Sequence, residues 1–282
     1  MVTLSEDGAP QNSADGRDFA ESSHRRREIA ESFGTDAAAY DRGRPRYPEQ
    51  LVEHVLDAIG RDGAGIDILD VGMGTGISAL PFRDRGATVL GVEVDERMAT
   101  LARDRGFTVE IAPFERWDAA GRTFDLVVSG QAWHWIDPAA GAHEAASVLR
   151  DGGAIALFWN IMRVPDALRE VTHAALAAAI PGLPPAAAAA SDDDPFGGQA
   201  AKAADGIRAS GRFTEPGFWR HDWRRRYTRA EWLDAFPTSG GVNRLPKEQL
   251  SPLLARVGAA IDAMGGSFTM DYVTVAVIAK RA

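Results

Sequence analysis

The period of the apolar positions divides the chain. Between residues 66 and 160, short apolar runs alternate with longer mixed stretches: "IDILDVG" (66–72), "ATVLGVEV" (87–94), "FTVEIA" (107–112), "FDLVVSG" (124–130) and "GAIALFWN" (153–160). Near-continuous Val, Ile, Leu and Phe in short runs predict strands buried on both faces. The intervening "TGISALPFRDR", "DERMATLARDR" and "AAGAHEAASVLRD" are each long enough for a helix. Strand–helix alternation at this spacing predicts a parallel sheet covered on both faces. Upstream, "YPEQLVEHVLDAIG" places Leu51, Val52, Val55, Leu56 and Ile59 on one helical face and stops at Gly60. Residues 19–33 read as a polar helix, and residues 1–18, polar and without period, as a disordered tail.

After Asn160 the alternation ends. Residues 164–180 read as a helix, and "PGLPPAAAAASDDDPFGGQA" (181–200) as a mobile loop. "GFWRHDWRRRYT" (217–228) and "SFTMDYVTVAVIAK" (267–280) read as strands; "RAEWLDAF" and "PKEQLSPLLARVGAAIDAMGG" read as helices. The expected organisation is a tail (1–18), a sheet domain with N-terminal helices (19–160), an inserted helical cap or lid for substrate (161–215), and a return to the same sheet (216–282).

Composition narrows the function. With 282 residues, 45% hydrophobic and 25% charged, the chain can bury a large core. The absence of cysteine excludes disulfides, thiolate metal sites and cysteine nucleophiles. The six histidines are scattered without metal-ligand spacing, so no metal is expected. A net charge of −9 opposes general nucleic-acid binding, which needs a basic face. No apolar run reaches the roughly 18 residues of a membrane span, and the N-terminus lacks a signal-peptide core. These features predict a cytoplasmic protein, expected as a monomer or homodimer, without nucleic-acid or membrane partners.

The strongest local signal is "ILDVGMGTGIS" (68–78), where Gly72, Gly74 and Gly76 follow a strand and open a helix. Glycines there admit a tight turn and close ligand approach at the carboxyl edge of the sheet. The dinucleotide pattern G-x-G-x-x-G requires glycine at 77, where the chain has Ile77, and the phosphate loop G-x-x-x-x-G-K-[ST] is absent. Asp70, at the strand end, would repel a pyrophosphate and suit a cation. Glu93, at the end of the second strand, is placed to hold ribose hydroxyls. An adenosine ligand with a positive charge and no phosphate satisfies all of this, and S-adenosylmethionine is such a ligand.

At this point the chain resembles a family. "DVGMGTG" looks like the first motif of class I S-adenosylmethionine-dependent methyltransferases and "GVEVDERM" like their second. The resemblance puts Glu93 and Val94 on the ribose and Met98 against the adenine. In "APFERW" (112–117), Phe114 and Glu115 would border the adenine. "FDLVVSGQAWHW" and "VLRDGGAIAL" are similar to the fourth- and fifth-strand segments, which places Ser129 and Gln131 on the cofactor side. "AYDRGRPRYP" (39–48) is similar to the entry of the trans-aconitate methyltransferase-like branch, where Tyr40 and Arg44 would reach the methionine end. The family implies an α/β Rossmann-like doubly wound fold. Its seven-stranded sheet is mainly parallel with the last strand antiparallel, and S-adenosylhomocysteine is its product.

Methyl transfer needs in-line placement and exclusion of water, and a base only where the acceptor must lose a proton. His134, after the fourth strand, is the candidate base, with Tyr40 as a second residue at the acceptor; His134 could equally orient a loop. Trp133, Trp135 and Trp159 sit at strand ends facing the expected site and favour a flat aromatic or natural-product-like acceptor: an indole, phenol or amine. The basic strand "RHDWRRRYTR" and the trans-aconitate likeness leave open a carboxyl O-methyltransferase of a small acidic metabolite. A non-catalytic S-adenosylmethionine-binding protein is also open. "SGQAW" replaces the [DNS]-P-P-[YF] segment of amino-methylating DNA enzymes, and Ile77 with Asp70 disfavours a nicotinamide oxidoreductase. Asp137 before Pro138 reads as a helix cap.

Overall fold

In the computed structural model the described residues are 34, 36–179, 197–239 and 242–282. The expected tail, the helix over 19–33 and most of the 181–200 loop, Phe196 included, lie outside them. The chain begins with α1 (Ala37–Gly43) and α2 (Glu49–Ala58). The alternating half follows: β1 (Asp67–Val71), α3 (Leu80–Arg83), β2 (Thr88–Glu93), α4 (Glu96–Asp104), β3 (Thr108–Ile111), β4 (Phe124–Gly130), α5 (Pro138–Val148) and β5 (Leu149–Arg163). The remainder is α6 (Asp166–Ala179), α7 (Gly197–Ser210), β6 (Gly217–Thr228), α8 (Arg229–Ala235), α9 (Lys247–Ala263) and β7 (Ser267–Lys280).

The strands form one seven-stranded sheet in the order β3-β2-β1-β4-β5-β7-β6. The pairs from β3 to β5 are parallel, and β7 runs antiparallel to both β5 and β6. Strand order reverses at β1: the chain steps outward to β2 and β3, then crosses back to β4. The parallel part is what the alternation predicts, and the whole is the Rossmann-like doubly wound arrangement, with its last strand antiparallel, that the family resemblance implies.

Period-two side chains explain why the strands read as continuous apolar runs. Leu69, Val127, Ile155 and Leu157 pack in one core with Ala142 and Ala145 of α5 and with Ala200, Ala203, Ala204 and Ile207 of α7. Their neighbours Ile68, Leu126, Val128, Ala156 and Phe158 pack in a second core with Leu51, Val55 and Leu56 of α2 and with Ala99 and Ala102 of α4. Each fully buried Leu, Ile or Phe here stabilises the fold by about 1.5–3 kcal/mol relative to exposure. A third core joins the outer ends of β6 and β7, through Tyr227, Met270 and Tyr272, to Leu168 of α6, Trp232 of α8 and Val257 of α9.

Two expectations change. The helix expected across 75–85 shrinks to α3, because Gly76 takes a positive φ of 86° and the next residues turn before Pro81 can sit in a first helical turn. In the stretch 161–215, expected as a cap, Ile161–Arg163 prolong β5 and α7 lies on the sheet. Its small residues Ala200, Ala203 and Ala204 admit that approach, and a side chain at Gly206 would collide with Pro138 of α5. α6 packs with α9 in the third core instead. Asp137 caps α5 as the sequence suggests, accepting from the Ala139 and Ala140 amides.

Candidate active site

A cavity of about 350 Å³ opens at the carboxyl edge of the sheet, beside the reversal at β1. Doubly wound sheets form their ligand crevices at that place. One end is built by residues after β2 and β3, namely Glu93, Val94, Met98, Phe114 and Glu115. The glycine loop forms the floor. The other end is built after β4, from the last residues of β5 and from the first helix and its C-cap: Gln131, His134, Trp135, Asn160, Met162, Tyr40 and Arg44.

At the first end, Gly72 and Gly74 adopt φ of 69° and 58°, the left-handed region that favours glycine. Glu93 holds the loop there. Its Oε2 accepts from the Gly74 amide at 2.7 Å, and its Oε1 from the Val94 and Asp95 amides at 2.8 and 3.0 Å. Burial raises the Glu93 carboxyl against these three bonds. A carboxylate has about four lone-pair sites, so Glu93 keeps capacity for ribose hydroxyls on the wall it lines. Gly76 stands behind the loop, where a side chain would meet Phe107.

Asp70 is placed differently from expectation. It is fully buried, and its neighbours Val71, Gly72 and Ser78, not Asp70 itself, line the cavity. Its Oδ2 accepts from Ser78 Oγ at 2.6 Å, and its buried Oδ1 has no hydrogen-bond partner among the described residues. Burial raises its carboxyl to about 7, with the Glu93 charge adding to the rise and the Ser78 bond opposing it. An unsatisfied carboxylate oxygen just behind the wall fits a cationic ligand and disfavours a phosphate. With the glycine cradle and Glu93, the residues present fit S-adenosylmethionine.

Ser129 is corrected outright. It is fully buried, and its Oγ donates to Val71 O at 2.8 Å, tying β4 to β1 away from the cavity. Gln131 does line the cavity. It holds a positive φ of 58°, uncommon for a residue with a side chain, and its Nε2 donates to Asn160 O at 2.9 Å.

The three tryptophans part company. A 3-10 turn over Trp133–Trp135 carries successive side chains in different directions. Trp133 is buried against Phe114, and Trp159 is equally buried; neither lines the cavity, so their placement at the acceptor is corrected. Trp135 does line it, 4.6 Å from the His134 ring. Trp159 acts from behind: its Nε1 donates to His134 Nδ1 at 3.3 Å. Because an indole N–H only donates, Nδ1 of His134 must be unprotonated, and the neutral ring carries its proton on Nε2. Burial lowers the His134 pKa to about 4. His134 is therefore a neutral donor on the wall, a poor arrangement for a general base.

Tyr40 and Arg44 lie together, with the guanidinium 4.6 Å over the Tyr40 ring and Arg44 Nη2 donating to Thr238 O at 2.8 Å. Sequence reasoning missed Asp41 between them. Buried Asp41 Oδ1 accepts from Thr75 Oγ1 at 2.7 Å, and the carboxylate is gripped by Arg105 and Arg46. Burial would raise this carboxyl, but the hydrogen bonds from Arg105, Arg46 and Thr75 outweigh it and hold it well below the usual range. Arg105 also donates to Thr75 O at 2.9 Å, so α1 is clamped to the glycine loop. Tyr47, Asn160, Met162 and Gln199 were missed as well. Of these only Asn160 carried a signal, as the one polar residue closing an apolar run.

No helix among the described residues is long and apolar enough to cross a membrane. A family model described as a methyltransferase domain matches residues 69–157. An uncharacterized methyltransferase of Mycobacterium tuberculosis is 37% identical over 137 residues, 48% of this chain and 54% of that protein. The chain thus matches about half the length of that relative. The nocamycin O-methyltransferase of Saccharothrix syringae is 30% identical over 268 residues, 85% of this chain and 94% of that protein. A solved structure from Anaeromyxobacter dehalogenans, described as a type II methyltransferase, shares the fold with a TM-score of 0.58 at 21% identity. The match covers 84% of this chain and 97% of that one.

Proposed function

The chain belongs to the class I S-adenosylmethionine-dependent methyltransferases, and from that premise we propose that it methylates an oxygen of a small, flat, largely apolar molecule. The observation that carries the oxygen is the Trp159 indole N–H donating to His134 Nδ1: with that nitrogen occupied as an acceptor, the neutral ring on the acceptor-end wall has a donor at Nε2 to offer. Carboxylates on the cavity wall are Glu93 and Glu115, both at the β2–β3 end, and none lines the β4–β5 end among the described residues. An acceptor that must surrender a proton finds no base there. A carboxylate or an acidic phenol, already ionised near neutral pH, needs none.

S-adenosylmethionine, when bound, supplies a methyl group activated by a sulfonium leaving group. The chain's own residues do the rest. Glu93 and the Gly72–Gly74 turn hold the ribose end, Met98 and Phe114 flank the adenine, and a cation in the cavity would favour the ionised form of the buried Asp70 carboxyl. Tyr40 and Arg44 border the methionine end. Nε2–H of His134 donates to the acceptor oxygen, and Trp135, Ile136 and Met162 shield the reacting atoms from water. The acceptor's apolar body rests on the same three side chains. The similarity to nocamycin O-methyltransferase supports an oxygen acceptor and a natural-product-like one. A small acidic metabolite, as in the trans-aconitate-like branch, falls within the same chemistry and would use the Arg44 charge.

Melting experiments test the cofactor assignment. S-adenosylmethionine and S-adenosylhomocysteine should each raise the melting temperature in a concentration-dependent way, and NAD should not. No shift with either sulfur compound contradicts the reading.

A further inference from the structure

The acceptor end of the cavity has a further polar group, Asn160, whose orientation is set from two strands away. Asn160 on β5 stands opposite Thr274 on β7, and Thr274 stands opposite His221 on β6. Trp223, two residues beyond His221 on the same face, stacks on Tyr272 with ring centroids 4.4 Å apart and planes at 11°. That stacking holds its indole Nε1 at 2.8 Å from Thr274 Oγ1. An indole N–H can only donate, so Thr274 Oγ1 accepts it and directs its own proton elsewhere. The group that receives that proton is Asn160 Oδ1, at 2.6 Å. An amide nitrogen cannot accept a hydrogen bond, so the oxygen end of Asn160 must face Thr274. Its NH₂ end is turned the other way, where one contact is Arg46 O at 3.5 Å. Thr274 is fully buried, so no solvent molecule replaces its hydroxyl.

Resting on the oxygen-acceptor reading, we propose that Thr274 and Trp223 are positioning residues that present the Asn160 amide to the cavity as a donor, and thereby select acceptors bearing an oxyanion. The device parallels the one at His134. In both places a donor-only indole outside the cavity fixes the polarity of a residue on its wall. The two donors lie on a wall that also carries Arg44, so the acceptor end complements negative charge in a protein whose net charge is −9. An acceptor that offers only N–H groups meets donors and is disfavoured.

Calorimetric titration of S-adenosylhomocysteine-saturated protein with benzoate, 4-nitrophenolate and aniline tests this. Thr274→Val keeps the shape and removes the relay. It should weaken both oxyanions about 10-fold, the loss of one hydrogen bond to a charged group, and leave aniline within about twofold. Thr274→Ser keeps the hydroxyl and should restore oxyanion binding. Trp223→Phe keeps the stack on Tyr272 and frees the Thr274 hydroxyl to reverse, so it should give a smaller loss, and it carries the test should the valine variant fold poorly. The proposal is overturned if Thr274→Val binds the oxyanions as the wild type does. It is overturned equally if Thr274→Ser is as weak as Thr274→Val, or if aniline weakens in parallel. Wild-type protein that binds S-adenosylhomocysteine but neither oxyanion overturns the proposal and leaves the cofactor assignment standing. Protein that binds no S-adenosylhomocysteine overturns the cofactor assignment as well.

Discussion

The polarity of single side chains decides the chemistry of this cavity. His134 titrates near 4 because burial disfavours its cation, so it stays neutral from about pH 6 to about pH 8. His134 should therefore add no ionisation limb near the ordinary histidine value of about 6.5: the pH profiles of wild type and His134→Ala should have the same shape, a limb near 7 belonging to Asp70. His134→Ala should weaken acceptor binding about 10-fold, the scale of one donor. A loss of about 10²–10⁴ in kcat, together with a limb near 6.5 that the wild type shows and the variant lacks, would restore the base assignment. Asp70 makes a second prediction. Its carboxyl, ordinarily near 3.8, is raised to about 7 in the fold by burial. Between those pH values the folded protein keeps a proton that the unfolded chain has released, so this group's contribution to stability falls as pH rises from about 4 to about 7 and is level above. Asp70→Asn removes that slope. The melting temperature of the variant, relative to wild type, should climb between about pH 5 and about pH 7.5, and a pH-independent difference would contradict the assignment. Much of this was out of reach in the sequence. "AWHW" identified the right stretch, but strand alternation ends at Gly130, and a 3-10 turn sends Trp133 inward and Trp135 to the cavity. Likewise Ser129 looked like a pocket residue because it follows the apolar run, yet it lies one position too early and bonds within the sheet.

At the scale of elements, α1 is held to the glycine loop by a charge cluster and not by apolar area alone. Asp41 joins Thr75, Arg105 and Arg46, while Arg42 pairs with Asp234 of α8 on the exposed side. Breaking a buried pair costs about 3–5 kcal/mol, less here because both arginines are partly exposed. Asp41→Asn should cost about 2 kcal/mol and lower the melting temperature by about 4–8 °C. It should also weaken S-adenosylhomocysteine about 10-fold, because the same group fixes Thr75 in the loop and carries Tyr40 and Arg44 to the wall. Calorimetry reads the affinity directly, and an unchanged value would show that the clamp serves stability alone. Strands were the most legible elements: β7 falls where its apolar run predicted because it is buried over most of its length, and β6, a half-exposed edge strand, falls where its alternation predicted. The role of α7 was hidden. Its core positions are mostly alanine, and it follows a Pro- and Asp-rich stretch that masks the helical period. Asp41 was hidden for another reason, since its partner Arg105 lies 64 residues away and no local pattern announces the pair.

For the molecule as a whole, the sheet order creates the crevice and the two halves of the chain furnish its two ends. Residues after β2 and β3 line the proposed nucleoside end, while α1, the β4–β5 ends and α7 line the proposed acceptor end. The net charge of −9 leaves the oxyanion preference to local donors and Arg44, so acceptor binding should depend on those groups and not on long-range attraction. The central claim is methyl transfer from S-adenosylmethionine to oxygen. Its most direct test is incubation of the protein with methyl-deuterated S-adenosylmethionine and separate pools of carboxylates, phenols and amines, with products read by mass spectrometry. Deuterated methyl esters or aryl methyl ethers should form, and S-adenosylhomocysteine should accumulate with them. Label found only in methylated amines, or in no product while the protein still binds the cofactor, would contradict the claim.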